Sequence, residues 1–268
     1  LHLLSRRQRQ MCIRDRYEGK NQLYAGDISF IGSMYNEKHN LYDRLCGVND
    51  YTKGYLDAIM KVQRSIYGYF FLENMLKGDV LDEMMRVCPV KPNEDGVETV
   101  QYVYANYFLA RRMATDERTD ILSRVGRELG RENKINLYTP DASVRFINVN
   151  NKGTVDYYNE MPYVFRNSRI NLNITLRSIK SGIPLRCMDI CGAGGFLLSN
   201  YQADLYDVFV PGEDMVIYDS IDDLMNKCKY YLSHDAERRQ IAQNGFGKIE
   251  EKHTYDVRFE EIFNRVFN

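Results

Sequence analysis

Short runs of β-branched and other apolar residues alternate along the chain with longer segments in which apolar residues recur every three to four positions. The short runs predict strands and the longer segments predict helices. The predicted strands are residues 28–31, 135–138, 144–147, 170–174 and 196–198. Because predicted helices separate most of these strands, we expect an α/β fold with a Rossmann-like, doubly wound and mainly parallel sheet.

Helical patterns dominate between about residues 49 and 129, which indicates a helical insertion. Five residues there recur every three to four positions, which places them on one helical stripe: Tyr55, Ile59, Val62, Ile66 and Phe70. The helix starts follow from residues that cap helices well, namely Thr115 or Asp116, Thr154 or Asp156, and Ser220, the last opening a helix that ends near residue 233. A final amphipathic helix is expected over residues 254–267.

Residues 168–200 carry the strongest candidate for a ligand site. A strand is followed there by SGIP, a helix from Pro184 to Cys191, and the glycine turn GAGG at residues 192–195. The first N–H groups of such a helix favour phosphate, and the glycines permit close backbone approach. Asp189 is positioned to accept two hydrogen bonds from a ribose diol, and Arg186 supplies a cation for a diphosphate. The alternative from spacing alone is an ordinary surface ion pair between these two side chains.

Loops at the carboxyl ends of parallel strands form the ligand crevice in such sheets. Tyr138, Thr139 and residues 148–153 follow predicted strands and are therefore candidates for a nucleotide rim. Simple helix–strand packing is the preferred interpretation for this region, with Thr139 and Tyr157 as the exceptions.

The composition narrows the classes of function. Hydrophobic residues make up 44% of the chain and charged residues 27%, with 36 basic and 37 acidic residues. This balance, with no long apolar run, argues against a transmembrane segment and against nucleic acid held by bulk charge. The six cysteines form no CxxC pair, which indicates reduced core thiols in a cytoplasmic protein.

Residues 1–16 differ from the remainder, with five arginines and an apolar start too short for a secretory signal. The segment MCIRDR resembles translated sequencing-adaptor text. We therefore expect residues 1–26 to be a disordered leader that is not native sequence; the alternative is a basic, disordered tail.

The stretch SRINLNITLRSIKSGIPLRCMDICGAGGFLLSN, followed by FVPGEDMVIYDSIDDL, YYL, ERRQIAQNG and HTYDVRFEEIF, resembles the C-terminal, donor-binding half of two-domain (GT-B) glycosyltransferases of group 1. The chain is most similar to the spore-maturation (CgeB-like) glycosyltransferase-like domain of bacterial proteins. The resemblance implies a nucleotide-sugar-binding domain at residues 27–252 and a crossover helix at residues 253–268. It also implies an N-terminal acceptor domain that is missing from this chain.

In the retaining members of the wider family, two glutamates eight residues apart bracket the start of the central helix. Asp189 matches the second, which holds the ribose, whereas Ser181 occupies the first position. The turn at residues 32–33 would face the donor phosphates and line one crevice with Asp189 and the GAGG turn. The donor-binding residues expected in all are Gly32, Ser33, Lys38, Thr139, Tyr157, Arg177, Arg186, Asp189, Gly192, Gly194 and Gly195.

The leading hypothesis is transfer of a sugar from a nucleotide-diphosphate sugar to an unknown glycan, lipid or protein acceptor, in the cytoplasm or at the inner membrane surface. No DxD-type carboxylate pair follows a strand, so we expect no metal and no cofactor, and Arg186, Arg177 and Lys38 would meet the diphosphate charge. The catalytic base is expected outside this chain. A non-catalytic binding module is the first alternative, favoured by Ser181. A nicotinamide-dependent enzyme is the second, disfavoured because no GxGxxG follows the first strand.

Overall fold

A computed structural model describes residues 21–36, 40–92, 96 and 98–267, so the predictions for Lys38 and for residues 1–16 lie outside the described residues. The chain divides into two compact units. The sheet unit comprises the described residues up to 32 together with residues 123–174 and 183–267, and the helical unit comprises residues 33–122 and 175–182.

A parallel sheet organises the sheet unit. Its strands, among the described residues, are β1 (Gly26–Ile31), β2 (Ile135–Tyr138), β3 (Val149–Asn151), β4 (Ser168–Asn173), β5 (Leu197–Asn200) and β6 (Val216–Tyr218). They lie in the order β3-β2-β1-β4-β5-β6, and every neighbouring pair is parallel. Every residue of β2, β5 and β6 is buried, as expected for parallel strands covered on both faces. The predicted α/β fold with a doubly wound parallel sheet is confirmed.

The helices flank the strands and fill the helical unit. In chain order the α-helices among the described residues are α1 (Asn21–Tyr24), α2 (Asp50–Ser65), α3 (Leu72–Met75), α4 (Gly78–Val87), α5 (Val100–Val103), α6 (Ala110–Leu129), α7 (Met161–Asn167), α8 (Leu185–Gly192), α9 (Ile221–Ser233), α10 (Asp235–Lys252) and α11 (Tyr255–Phe267). A π-helical segment, Tyr104–Leu109, joins α5 to α6, and short 3-10 turns lie at Leu41–Leu45 and Ala203–Asp207. Ser220 caps α9 as predicted, since its side chain accepts the N–H of Asp223.

The predicted helical stripe differs from the structure. The helix α2 ends at Ser65, so Ile66 and Phe70 lie beyond it. It also turns a different face inward, which leaves Val62 52% exposed. Gln63 takes the interior position. Its side-chain amide donates to the carbonyls of Ile66 and Tyr69, and its side-chain carbonyl accepts the backbone N–H of Phe71. A buried glutamine that fixes a loop is invisible to a search for apolar periodicity.

The third predicted strand, residues 144–147, is also wrong. Within that segment only Phe146 pairs, in an isolated antiparallel bridge with Val149, and the strand begins at Val149. Asn148 has a φ of 56°, which breaks the extended chain between the two segments. The side chains of Asn150 and Asn151 hydrogen-bond to neighbouring backbone carbonyls, so amides rather than apolar residues hold this edge strand.

Two predicted helix starts differ from the structure. Neither Thr115 nor Asp116 begins a helix, since α6 starts at Ala110 and continues from the π-helical segment. Similarly, α7 begins at Met161 with Pro162 in its first turn, and not at Thr154 or Asp156. Residues 154–160 form a loop instead, and this loop carries Tyr157.

Candidate functional site

The helix α8 places the central candidates of the sheet unit. It runs from Leu185 to Gly192, so the predicted bounds are shifted by one residue, and Pro184 precedes the helix in an extended conformation with ψ of 130°. No side chain caps this end among the described residues, and Leu185 is 73% exposed. The N–H of Cys187 donates to the carbonyl of Pro184 at 2.9 Å. The N–H groups of Leu185 and Arg186 have no acceptor within the helix and carry positive partial charge. The N-terminus of α8 is therefore open to an anion.

The GAGG turn closes the opposite end of α8. The N–H of Gly194 donates to the carbonyl of Cys191 at 2.9 Å, and the N–H of Gly195 donates to Ile190 at 2.9 Å. Gly194 has a φ of 78°, so the turn is a Schellman motif that ends the helix. These donors are already used, and a helix C-terminus carries negative partial charge. The turn therefore has a structural role in ending the helix, and its approach to a phosphate stays a prediction.

Gly195 is required by packing against the sheet. A Cβ at this position would lie 2.7 Å from the carbonyl oxygen of Phe165 and 2.8 Å from Nδ2 of Asn171. Those two atoms are themselves hydrogen-bonded to each other at 2.9 Å. Only a residue without a side chain lets the turn sit against this buried hydrogen bond. Gly192 is less constrained, because its nearest neighbour, Ile249, would be 3.5 Å from an added Cβ.

Asp189 is the buried acid of the sheet unit's candidate site. It is 6% exposed, and the phenol of Tyr157 donates a hydrogen bond to its Oδ1 at 2.9 Å. Burial raises the pKa of Asp189, while the Tyr157 hydrogen bond and the charge of Arg186 oppose that shift. Within the described chain no cation lies within ion-pair distance of this carboxylate, so the surface ion pair considered from the spacing does not form.

Arg186 supplies positive charge on the same helix. Its guanidinium lies over the ring of Phe165, 5.4 Å from the centroid, and Nη1 contacts the sulfur of Met161. Burial lowers the pKa of Arg186, whereas the nearby Asp189 raises it. No carboxylate of the described residues forms an ion pair with Arg186. A partly buried cation without a carboxylate partner, next to an open helix N-terminus, is an arrangement that favours an anionic ligand.

The remaining candidates within the sheet unit lie at the carboxyl ends of β1 and β2. Gly32 follows β1 and donates its N–H to the carbonyl of Tyr138 at 3.0 Å, which extends the strand pairing by one residue. Thr139 follows β2, is 1% exposed, and its hydroxyl finds no hydrogen-bond partner in the described part of the chain. The crevice expected between the turn at residues 32–33 and α8 stays a prediction.

Two other candidates belong to the helical unit. The hydroxyl of Ser33 accepts the N–H of Tyr35 at 2.9 Å. Arg177 forms an ion pair with Glu117 at 2.6 Å, and the two side chains are 5% and 4% exposed. The Arg177 guanidinium also stacks 3.2 Å from the ring centroid of Tyr67. Its charge is compensated inside the helical unit, and this arrangement does not favour Arg177 as a ligand for the diphosphate.

Sequence reasoning missed Met161 and Phe165, which support the Arg186 guanidinium. Their spacing of four residues on α7 is the signal available, but it is equally typical of core packing. Where the structure describes the chain, no group of three His, Cys, Asp or Glu side chains is arranged to hold a metal ion. No described helix is long and apolar enough to cross a membrane.

Comparison with known proteins gives one family. The family model described as glycosyl transferase-like matches residues 111–264, more than half of the 268 residues. Among solved structures, the crystal structure of TarM matches with a TM-score of 0.43 and 16% sequence identity, over 55% of this chain and 32% of that chain. The chain thus spans about a third of that protein's length. No curated protein matches the sequence.

Proposed function

Because the chain belongs to the glycosyl transferase-like family, we propose that its sheet unit binds the nucleoside diphosphate part of a sugar donor for transfer to an acceptor. The observation that carries this proposal is the buried carboxylate of Asp189, one turn along a helix whose N-terminus is open. The closer likeness to the spore-maturation family is part of the proposal and rests on the sequence motifs.

The chemistry of each group fits one part of such a ligand. A carboxylate accepts hydrogen bonds from both hydroxyls of a ribose, and Oδ2 of Asp189 is neither hydrogen-bonded nor fully shielded from solvent among the described residues. The diphosphate would meet the first turn of α8 and the guanidinium of Arg186. Asp189 lies four residues after Leu185, about 6 Å along the helix axis, so ribose and phosphate groups would bind at successive positions along one helix.

Stabilisation of the leaving nucleoside diphosphate by these groups would not require a divalent ion. The proposal assigns neither acceptor binding nor the catalytic base to residues of this chain. A non-catalytic nucleotide-binding module is the second candidate. It is favoured by Ser181, an exposed residue at the position where the resembled family has its first glutamate.

Calorimetric titration with UDP, GDP and ADP tests the proposal. For the best of these ligands, Asp189→Asn is expected to weaken binding about ten-fold or more, because hydrogen bonds to a charged group contribute roughly 1.5–3 kcal/mol. Asp207→Asn is the matched control, since Asp207 is an exposed aspartate of the same unit. Equal affinities of wild type and Asp189→Asn would refute the ribose role. No binding of any of the three nucleotides would refute nucleotide binding itself.

A further inference from the structure

Tyr157 is the one described residue whose side chain donates a hydrogen bond to the buried Asp189. It lies in the loop at residues 154–160, 32 positions before its partner. Its hydroxyl contacts Oδ1 at 2.9 Å, while the residue as a whole is 38% exposed. A carboxylate oxygen has two lone-pair positions, so this bond leaves the remaining positions of Asp189 open to a ligand.

The loop that carries Tyr157 is fixed by hydrogen bonds on both sides of it. The carboxylate of Asp156 accepts the N–H of Tyr158 at 3.1 Å, and the carboxylate of Glu160 accepts the N–H of Asp156 at 2.7 Å. Glu160 is held in turn by the hydroxyl of Tyr24 at 2.7 Å. The ring of Tyr158 packs edge-on against Tyr157, with centroids 4.9 Å apart. These hydrogen bonds and the ring contact hold the loop in place, and the loop holds the phenol of Tyr157 against Asp189.

From this geometry we propose that Tyr157 is a positioning residue, which fixes the rotamer of Asp189 so that its free lone pairs face the ribose hydroxyls. The inference rests on the proposed function and goes beyond it, because it assigns Tyr157 an action through Asp189 and not a contact with the nucleotide. A neutral donor suits this role. A cation at the same place would neutralise the carboxylate and compete with the ligand, whereas a phenol orients the charge and leaves it in place.

The Tyr157 hydrogen bond also affects when Asp189 is ionised. The groups that shift the pKa of Asp189 are Tyr157 in the loop and Arg186 on α8, both of which lower it against the effect of burial. Cys187 is the other titratable neighbour on α8, and burial raises its pKa to about 12, so it stays neutral. The charged residues of α7 and α10, which also pack on α8, do not contribute to the shift within the described chain. Removal of the phenol hydroxyl should therefore raise the pKa of Asp189 further.

Tyr157→Phe, Asp189→Asn and the double variant test the proposal, with Tyr206→Phe as a control that removes an exposed hydroxyl elsewhere in the sheet unit. Nucleotide affinity is measured for each protein by calorimetry as a function of pH. In the proteins that retain Asp189, the titration of its carboxyl group is followed by NMR of the side-chain carboxyl carbon. Tyr157→Phe is expected to weaken binding roughly three- to ten-fold at neutral pH. It should also move the acid loss of binding, and the titration of Asp189, to higher pH.

The double variant separates positioning from direct contact. If Tyr157 acts through Asp189, the double variant binds as Asp189→Asn does, within about two-fold, because the two changes remove one coupled unit. Additive losses, or an unchanged titration of Asp189 in Tyr157→Phe, would overturn the proposal. If wild type binds no nucleotide, the proposed function fails, and the titration still decides whether Tyr157 controls the carboxylate.

Discussion

Replacement of Gly195 by alanine should destabilise the sheet unit, because the new methyl group has no space. Its Cβ would lie 2.7 Å from the Phe165 carbonyl oxygen, 2.8 Å from Nδ2 of Asn171 and 3.1 Å from the Ile190 carbonyl oxygen. The first and third atoms are backbone, and the second is fixed by hydrogen bonds to the carbonyls of Phe165 and Phe196. None of the three can rotate away as the tip of a flexible side chain would.

The expected magnitude follows from these contacts. Insertion of a methyl group into a well-packed interior costs about 1–3 kcal/mol. Displacement of the Asn171 amide would add about 1 kcal/mol for a weakened buried hydrogen bond. We therefore expect Gly195→Ala to lower the free energy of unfolding by about 2–4 kcal/mol.

The neighbouring glycines provide matched controls in the same turn. Gly194→Ala has open space around its Cβ but a φ of 78°, so it should cost about 1 kcal/mol. Gly192→Ala is helical and meets Ile249 at an ordinary 3.5 Å, so it should be neutral or stabilising by up to about 0.5 kcal/mol.

Urea denaturation of the three variants, followed by circular dichroism, measures this order. The reasoning is refuted if Gly195→Ala is as stable as wild type, or if the three variants lose equal stability. Loss of UDP affinity in Gly192→Ala without any loss of stability would instead favour a turn that binds phosphate.

Two further changes have expected outcomes. Gly245→Ala places a Cβ 2.4 Å from the carbonyl oxygen of Asp214 and should lower the free energy of unfolding by about 1–3 kcal/mol. Gly247→Ala on the same helix meets nothing within 4 Å and should raise the free energy of unfolding by about 0.5–1 kcal/mol. Urea denaturation measures both changes, and changes of the same sign would contradict the packing argument. Arg186→Gln should weaken nucleotide binding about ten-fold at low salt and less at high salt, because it removes a cation near the diphosphate. Calorimetry at two ionic strengths measures this, with Arg131→Gln, at an exposed position, as the control. Equal nucleotide affinities of the two variants would contradict the prediction.

The fold could be predicted from the sequence wherever apolar residues alone define an element. Both Ile135–Tyr138 and Leu197–Asn200 are fully buried strands. The first was predicted with the same bounds, whereas the second was predicted as residues 196–198, because Ser199 and Asn200 add no apolar signal. The edge strand Val149–Asn151 was misplaced because asparagine side chains hold it, and such amide hydrogen bonds leave no periodic signal.

Glycine positions show why the site was only partly predictable. A cluster such as GAGG is equally consistent with close approach to a phosphate and with the end of a helix, and only the destinations of its N–H groups distinguish the two. Asn244 and Gly245 have the same ambiguity, because an Asn–Gly pair is also typical of a turn. In the structure both lie within α10, where Asn244 donates to the carbonyl of Glu213 and Gly245 lets the helix approach residue Asp214.

Asp189 shows how burial changes the meaning of a sequence motif. Arg186 and Asp189 are three residues apart on one helix, a spacing at which an ion pair would form readily. Their side chains do not pair: the guanidinium packs on Phe165 and Met161, while the carboxylate turns to a neutral phenol. A structural carboxylate at 6% exposure would be stabilised most by the cation that is close at hand. Two neighbouring charges that do not pair with each other are typical of ligand sites, and this arrangement therefore supports the proposed nucleotide site.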